Sequence, residues 1–340
     1  MLTGHTGFKG SWLAWWLVQM GARVQGLGLE PSTHPGLFTL LGLRHALNHQ
    51  VADVRDGAAV ADVVLRFEPE VVFHLAAQAL VRPGYDDPLG TFGTNVMGTA
   101  HLLNAVRSAP SVKVVVVVTT DKVYRNREWH FPYRETDPLG GHDPYSASKA
   151  ASELVVECWR DAWLAQQGVA LASARAGNVV GGGDWSRDRL LPDAVRAWQT
   201  GQPLAVRRPD ATRPWQHVLE PLCAYLQLAE TLWAEPGLAG PFNFGPRTDE
   251  AATVRHVVER ARQAWPGAQV QWGDGQQGPH EAGWLALEVA RARNHLGVVP
   301  RWTLQQAVDR TMAWYRGLLE GKAADALCAA DIDAFEGAVS

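Results

Sequence analysis

Short runs of apolar and β-branched residues alternate along the first two-thirds of the chain with longer stretches of helical periodicity. Val24–Leu29, Val71–Leu75, Val112–Thr119 and Val169–Ala174 read as strands. Lys9–Met20, Asp56–Phe67, Leu89–Ala109 and Tyr145–Gln166 read as helices. The strands are almost wholly apolar rather than alternating. A strand with no polar face is covered on both sides, so the pattern predicts an α/β fold with a doubly wound parallel sheet. Beyond Gly177 the rhythm breaks. Gly181–Asp184, Arg207–Pro214 and Gly273–Pro279 are loop-rich, while Leu190–Gln199, His217–Ala234, Ala251–Ala264 and Thr303–Arg316 carry helical patterns. This predicts a smaller C-terminal lobe interleaved with the last strands of the sheet. The tail after Gly321 reads as helical at best. A glycine turn opens at Gly4, which leaves only Met1–Thr3 for a strand that is central in such a sheet. The first strand is therefore expected to be truncated, with the true start about ten residues upstream, as the usual length of a strand implies.

Composition narrows the classes without choosing among them. The 340 residues suffice for one large domain with an appended lobe, or for two domains. A formal charge of −4 and 19% charged residues leave no electrostatic footprint for nucleic acid. The longest purely apolar run, Val114–Val118, suits a buried strand and falls far short of a membrane span, and no signal peptide is visible. Cys158, Cys223 and Cys328 are odd in number and lack metal-ligand spacing. They fit a reducing, cytoplasmic setting and no metal site. The fifteen tryptophans are scattered, and core packing accounts for them.

Candidate chemistry begins at Thr3-Gly4-His5-Thr6-Gly7-Phe8-Lys9-Gly10. Glycines permit a tight turn and close approach to a pyrophosphate, and the helix that follows offers its N-terminus to an anion. The spacing is G-x-x-G-x-x-G and carries little weight alone. Glu30, twenty residues after Gly10, stands where a carboxylate can accept from a ribose hydroxyl and repel a 2′-phosphate, which favours NAD over NADP. Asp53 is a candidate for adenine contact, with a helix cap as its competing role. Leu75-Ala76-Ala77 are small enough for a cofactor to lie over the sheet edge. Asn95 reads as a buried polar residue needing partners.

Tyr145 and Lys149, spaced i and i+4, share one helix face. A phenol with a pKa near 10 is a poor base at neutral pH, and a neighbouring ammonium stabilises its phenolate. Together the glycine turn, Leu75-Ala76-Ala77, Asn95-Val96-x-Gly98-Thr99 and Tyr145-x-x-x-Lys149 resemble the extended short-chain dehydrogenase/reductases, from Thr3 to about Arg316. The resemblance implies a Rossmann domain binding NAD (1–177 and 216–247) and a nucleotide-sugar lobe (178–215 and 248–340). It places Val54, Thr94 and Thr119 along the cofactor with the residues already named. It also implies a homodimer or homotetramer through the helices Leu89–Ala109 and Tyr145–Gln166.

Thr119-Thr120-Asp121-Lys122 at the end of the fifth strand resembles the Thr-Asp-Glu or Thr-Asp-Lys of sugar 4,6-dehydratases. Oxidation at C4 of a hexose acidifies the C5 proton; a base must remove it while an acid protonates the departing C6 hydroxyl. The resemblance gives Tyr145 and Thr120 to the C4 hydroxyl, Lys149 to tuning the tyrosine, Asp121 to C6 and Lys122 to C5. Two readings of Lys122 stand: a neutral base, which needs its pKa lowered by about three units, or a charged stabiliser of the enolate. Asn178–Trp185, Asp188–Pro192, Arg213–Val218, Asn126–Trp129 and Gly278–Ala282 are similar to CDP-glucose 4,6-dehydratases. Arg213 suits a diphosphate through its planar fork. Asn178, Arg189, Gln78, Arg82, His217 and His280 are the other candidates for substrate, and Glu281 for the base. No residue read by itself identifies cytosine. Dehydration or 4-epimerisation of another nucleotide sugar, and a non-catalytic NAD-binding role, are the alternatives.

Overall fold

The computed structural model describes residues 1–275 and 283–338. His280 and Glu281 lie outside the described residues. The five valines Val114–Val118 show why the strands carry no polar face. Val114, Val116 and Val118 enter one hydrophobic core and Val115 and Val117 the other, so the pleat sends alternate side chains to two buried faces. Seven strands form a wholly parallel sheet, in the order Pro241–Phe244, Ala170–Ala176, Val114–Val118, Val71–His74, Leu2–Thr3, Gln25–Gly28, Asn48–Val51.

Leu2–Thr3 is short but holds the central slot. Leu2 is in register with Gly26 on one side and Phe73 on the other. The pairing extends a residue each way: Phe73 N–H donates to Met1 O and Gly4 N–H to Leu27 O. Chain order reverses direction between Leu2–Thr3 and Val71–His74. The crevice at the carboxyl ends of the strands opens at that switch point.

The helices match the predicted ones with instructive differences. Phe8–Gln19 follows the glycine turn, and Gly57–Phe67 is capped by Asp56, whose carboxylate accepts from Ala58 and Ala59 N–H. The continuous helix expected over Leu89–Ala109 is instead Pro88–Phe92, a π-helical turn at Gly93–Met97, and Gly98–Val106. Glycines at both ends of the turn weaken the regular ladder. Pro144–Trp159 likewise passes into a π-helical segment at Arg160–Leu164. The helix expected from His217 begins at Leu219, because Gln216–His217 pairs as a short strand with Val179–Val180.

The tail after Gly321 is a full helix, Ala324–Glu336. Its Ala324, Cys328, Ile332 and Phe335 are buried in the larger core, which also holds Leu2, Trp12, Trp302 and Trp314. That one apolar cluster runs through the sheet and the C-terminal segments alike. No helix among the described residues is long and apolar enough to cross a membrane.

Candidate active site

A cleft of about 920 Å³ runs over the carboxyl ends of the strands. One half is built from backbone. Gly4, Gly7 and Gly10 line it with Phe8, Lys9, Glu30, Asp53, Val54, Leu75, Ala76, Ala77 and Thr94. Gly4 (φ +73°) lies so close to the fourth strand's end that a Cβ would stand 2.6 Å from Ala76 N. A Cβ on Gly10 would meet Gly4 O at 2.0 Å. Gly7 offers no side chain to the first turn of Phe8–Gln19, so those amides keep no side-chain cap. A helix start with uncapped amides beside a glycine cradle fits a pyrophosphate.

Neither acidic candidate in this half is free. Glu30 Oε2 accepts from the Arg44 guanidinium at 2.5 Å, and Asp53 from Arg55. Asp56, not Asp53, caps the adjacent helix.

The other half is built from side chains. Thr120, Asp121, Lys122, Tyr145 and Lys149 all line it, with Asn178, Arg189 and Arg213 opposite. Asp143 caps Pro144–Trp159 by accepting from Ser146 N–H, and Pro144 starts the helix, which sets Tyr145 in its first turn. Lys149, one turn on, donates to Val118 O at 3.1 Å. Asp121 sits at the end of the valine strand and is 1% exposed. Its Oδ1 accepts from Thr120 Oγ1 at 3.0 Å, and its Oδ2 has no hydrogen-bond partner. Burial pushes the Asp121 carboxyl up, against the opposing pull of Lys122, Thr120 and Arg213. Lys122 Nζ stands 6.0 Å from the centre of the Tyr145 ring. The acid, the ammonium and the phenol therefore face one space.

For Tyr145 burial outweighs everything else and raises the phenol, while a hydrogen bond with Thr120 and the charge of Arg189 pull it down. Lys149 is itself lowered to about 8, first by burial, with Glu153 opposing.

Several predicted residues take other work. His217 does not reach the cleft. It is wholly buried between Trp12 and Trp302, and its Nδ1 accepts from Leu219 N–H at 3.3 Å. Burial, reinforced by Arg310, pushes its ring down to about 3, so it is a neutral core histidine and the expectation of substrate contact is corrected. Its neighbours Trp12 and Trp302 are distant in sequence, and no local pattern could show them. Gln78 lines the cleft, but its amide is committed to Leu80 O, Thr91 Oγ1 and Leu80 N–H. Thr119 lines it too, with its hydroxyl donated to Glu153. Arg82 pairs with Asp188 at 3.0 Å, and Arg189 donates to Ala79 O. Asn95 is buried as expected: it accepts from Gln78 N–H and donates to Ser148 Oγ, tying the strand-end loop to the tyrosine helix.

Sequence reasoning missed Arg207 and Arg208, which line the lobe wall of the cleft. The adjacent arginines in a loop were a readable signal. It also missed where the Lys9 side chain goes. No group of three or more metal-ligating side chains occurs among the described residues.

The model of the family described as GDP-mannose 4,6 dehydratase matches residues 1–311. A CDP-glucose 4,6-dehydratase of Salmonella typhimurium is 45% identical over 328 residues, covering 94% of this chain and 91% of that protein. The solved dTDP-glucose 4,6-dehydratase of Bacillus anthracis, in complex with NAD, superposes with a TM-score of 0.77 at 22% identity, covering 94% of this chain and 96% of that one. A UDP-glucuronic acid 4-epimerase of Bacillus cereus, in complex with UDP-glucuronic acid and NAD, gives 0.81 at 18% identity over 93% and 98%. A Rossmann sheet, a tyrosine–lysine helix and a match along nine-tenths of the chain agree: the protein belongs to the GDP-mannose 4,6 dehydratase family.

Proposed function

We propose that this chain is an NAD-dependent hydro-lyase that converts CDP-D-glucose to CDP-4-dehydro-6-deoxy-D-glucose. One observation carries the chemistry: Thr120, Asp121, Lys122 and Tyr145 line a single cleft, and Asp121 keeps a buried oxygen with no hydrogen-bond partner beside it. The nucleotide is supported by the 45% identity to a CDP-glucose 4,6-dehydratase across nearly the whole chain. NAD, when bound, would supply the two-electron acceptor for hydride from C4 and the donor for its return to C6.

Gly4, Gly7, Phe8 and Gly10 would hold its pyrophosphate, and Lys9 would meet the cofactor nearer the catalytic end of the cleft. Glu30, Asp53, Val54, Leu75, Ala76, Ala77, Thr94 and Thr119 would form the rest of its bed. Glu30 would meet a ribose only by sharing or releasing Arg44. Tyr145, oriented by Thr120, removes the C4 hydroxyl proton, and Lys149 fixes the strand end beside it through Val118 O. Asp121, whose protonated form burial favours, gives its proton to the C6 hydroxyl, which leaves as water. Lys122 acts at C5, either as a neutral base or as the charge that stabilises the enolate. Asn178, Arg189 and Arg213, with Arg207 and Arg208, would hold the diphosphate and sugar.

The division 1–177 with 216–247 for the cofactor and 178–215 with 248–340 for the substrate is proposed on the same basis. Leu89 (85% exposed), Met97 and Leu154 leave apolar side chains exposed on the helical segments 88–106 and Pro144–Trp159, which supports a homodimer or homotetramer. Free cysteines and the absence of a spanning helix among the described residues support a cytoplasmic enzyme.

The test is incubation of the purified chain with CDP-, dTDP- and GDP-linked hexoses, with mass spectrometry for loss of one water. CDP-glucose alone should yield product. Product only from another nucleotide would reassign the substrate, and product from none would remove the dehydratase reading. A 4-epimerase has no use for an acid and an ammonium at the end of the valine strand, so epimerised sugar without loss of water would support that alternative.

A further inference from the structure

Lys9 belongs to the glycine turn by sequence, but its side chain leaves it. Nζ donates to Tyr225 Oη at 3.5 Å and lies 5.8 Å from the centre of that ring. Tyr225 is wholly buried on the helix Leu219–Ala234, close enough to Tyr145 that charge on one phenol raises the other. Lys149, Arg189 and Asp121 also act on Lys9 through space. The glycine turn thus delivers a half-buried ammonium to the catalytic end of the cleft, whose wall it forms. Among the described residues no carboxylate pairs with it. A partly desolvated cation without an ion pair is costly, and the elimination chemistry gives it no task.

We propose that Lys9 sets the redox poise of the bound nicotinamide: its ammonium disfavours the cationic oxidised ring relative to the neutral reduced ring. The inference rests on the dehydratase reading in one respect, that the carbon served by Tyr145 is the one that yields hydride and so faces the ring. A fixed like charge in a water-poor site raises the free energy of the oxidised form and leaves the reduced form unpenalised. The reduced cofactor is then held securely while water leaves C5 and C6. Burial, Lys149 and Arg189 push Lys9 down to about 7, with Asp121 opposing, so its charge is strongest on the acid side of neutrality.

The test is binding of NAD⁺ and NADH to the full-length chain without sugar, by calorimetry and NADH fluorescence, for wild type, Lys9→Met and Lys9→Arg. Lys9→Met should lower the preference for NADH over NAD⁺ by about tenfold, one pKa-unit equivalent of differential interaction, while Lys9→Arg retains it. The wild-type preference should fall as pH rises through about 7, and that of Lys9→Met should not. Lys149, at about 8, titrates just above, so the difference between the two proteins is the readout. Equal weakening of both cofactor forms would assign Lys9 to a diphosphate and overturn the proposal, as would an unchanged ratio. Should Lys9→Met fail to fold, Lys9→Gln takes its place. No step of this assay uses sugar, so failure of the dehydratase reading would be seen separately in the nucleotide-sugar panel.

Discussion

Two buried carboxyl groups stand beside the end of the valine strand, Asp121 just beyond it in the chain and Glu153 reaching it from the helix Pro144–Trp159, and they differ in one respect. Glu153 is saturated: Thr119 Oγ1 donates to one oxygen, and Ser173 Oγ and the Arg175 guanidinium to the other. Arg175 continues to Tyr124 Oη and Glu135 O, and Tyr124 to Asn243. Asp121 accepts from Thr120 on one oxygen and has no hydrogen-bond partner on the other, and the residue lines the cleft. A satisfied buried carboxyl group is architecture, because folding has already given both its oxygens donors. An unsatisfied one that lines a cleft is held for a ligand. The second condition matters: Asp331 and His217 each carry an unpartnered buried atom, and neither lines the cleft.

The comparison can be broken by substitution. Tyr145→Phe removes the group placed at C4 and should lower kcat by roughly a thousandfold, the middle of the range for a general base, with an unchanged melting temperature. Asp121→Asn should cost about a hundredfold in water loss while leaving the melting temperature equal or higher, since a neutral amide suits its burial. Glu153→Gln should do the reverse. It leaves Arg175 uncompensated and should destabilise the fold by about 3–5 kcal/mol, with kcat per folded molecule within a few-fold of wild type. Equal loss of activity in both variants at equal stability would erase the distinction drawn here.

A gentler probe is His217→Phe, which keeps an aromatic ring between Trp12 and Trp302. It should leave KM for the nucleotide sugar within about twofold, with a stability change under about 1.5 kcal/mol. The smallest expected effect is on pH. Burial raises Glu220 and Asp331 to about 7 each, above their ordinary carboxylate values. The folded chain then binds more protons than the unfolded one between about pH 4 and 7, so stability falls as pH rises through that window and levels off above it. Asp331→Asn should flatten the slope in denaturant titrations across it.

Much of this was legible in the chain because it is written locally. Strand–helix alternation needs only a window of neighbours, and the five valines declare two covered faces with no knowledge of what covers them. The glycine turn, the Thr120–Lys122 triplet and the Tyr145/Lys149 spacing are local as well, and the fold brings them together where strand ends meet in one crevice. What could not be read depends on partners far away. Gln216–His217 is a strand only because Val179–Val180 lies alongside, and His217 is core only because Trp12 and Trp302 close on it. Gln78 looks free to reach a ligand until Thr91 and Leu80 consume its amide. The π-helical turns interrupt periodicities that a straight helix fits equally well.

The seventh strand has a consequence for how the chain is made. Pro241–Phe244 covers the flank of Ala170–Ala176, a seven-residue strand with every residue buried, yet more than sixty residues separate them in the chain. A nascent polypeptide leaving the ribosome therefore exposes an apolar β-edge for all the time needed to synthesise that interval. Premature termination anywhere within it would release a sticky, aggregation-prone fragment rather than a smaller working protein.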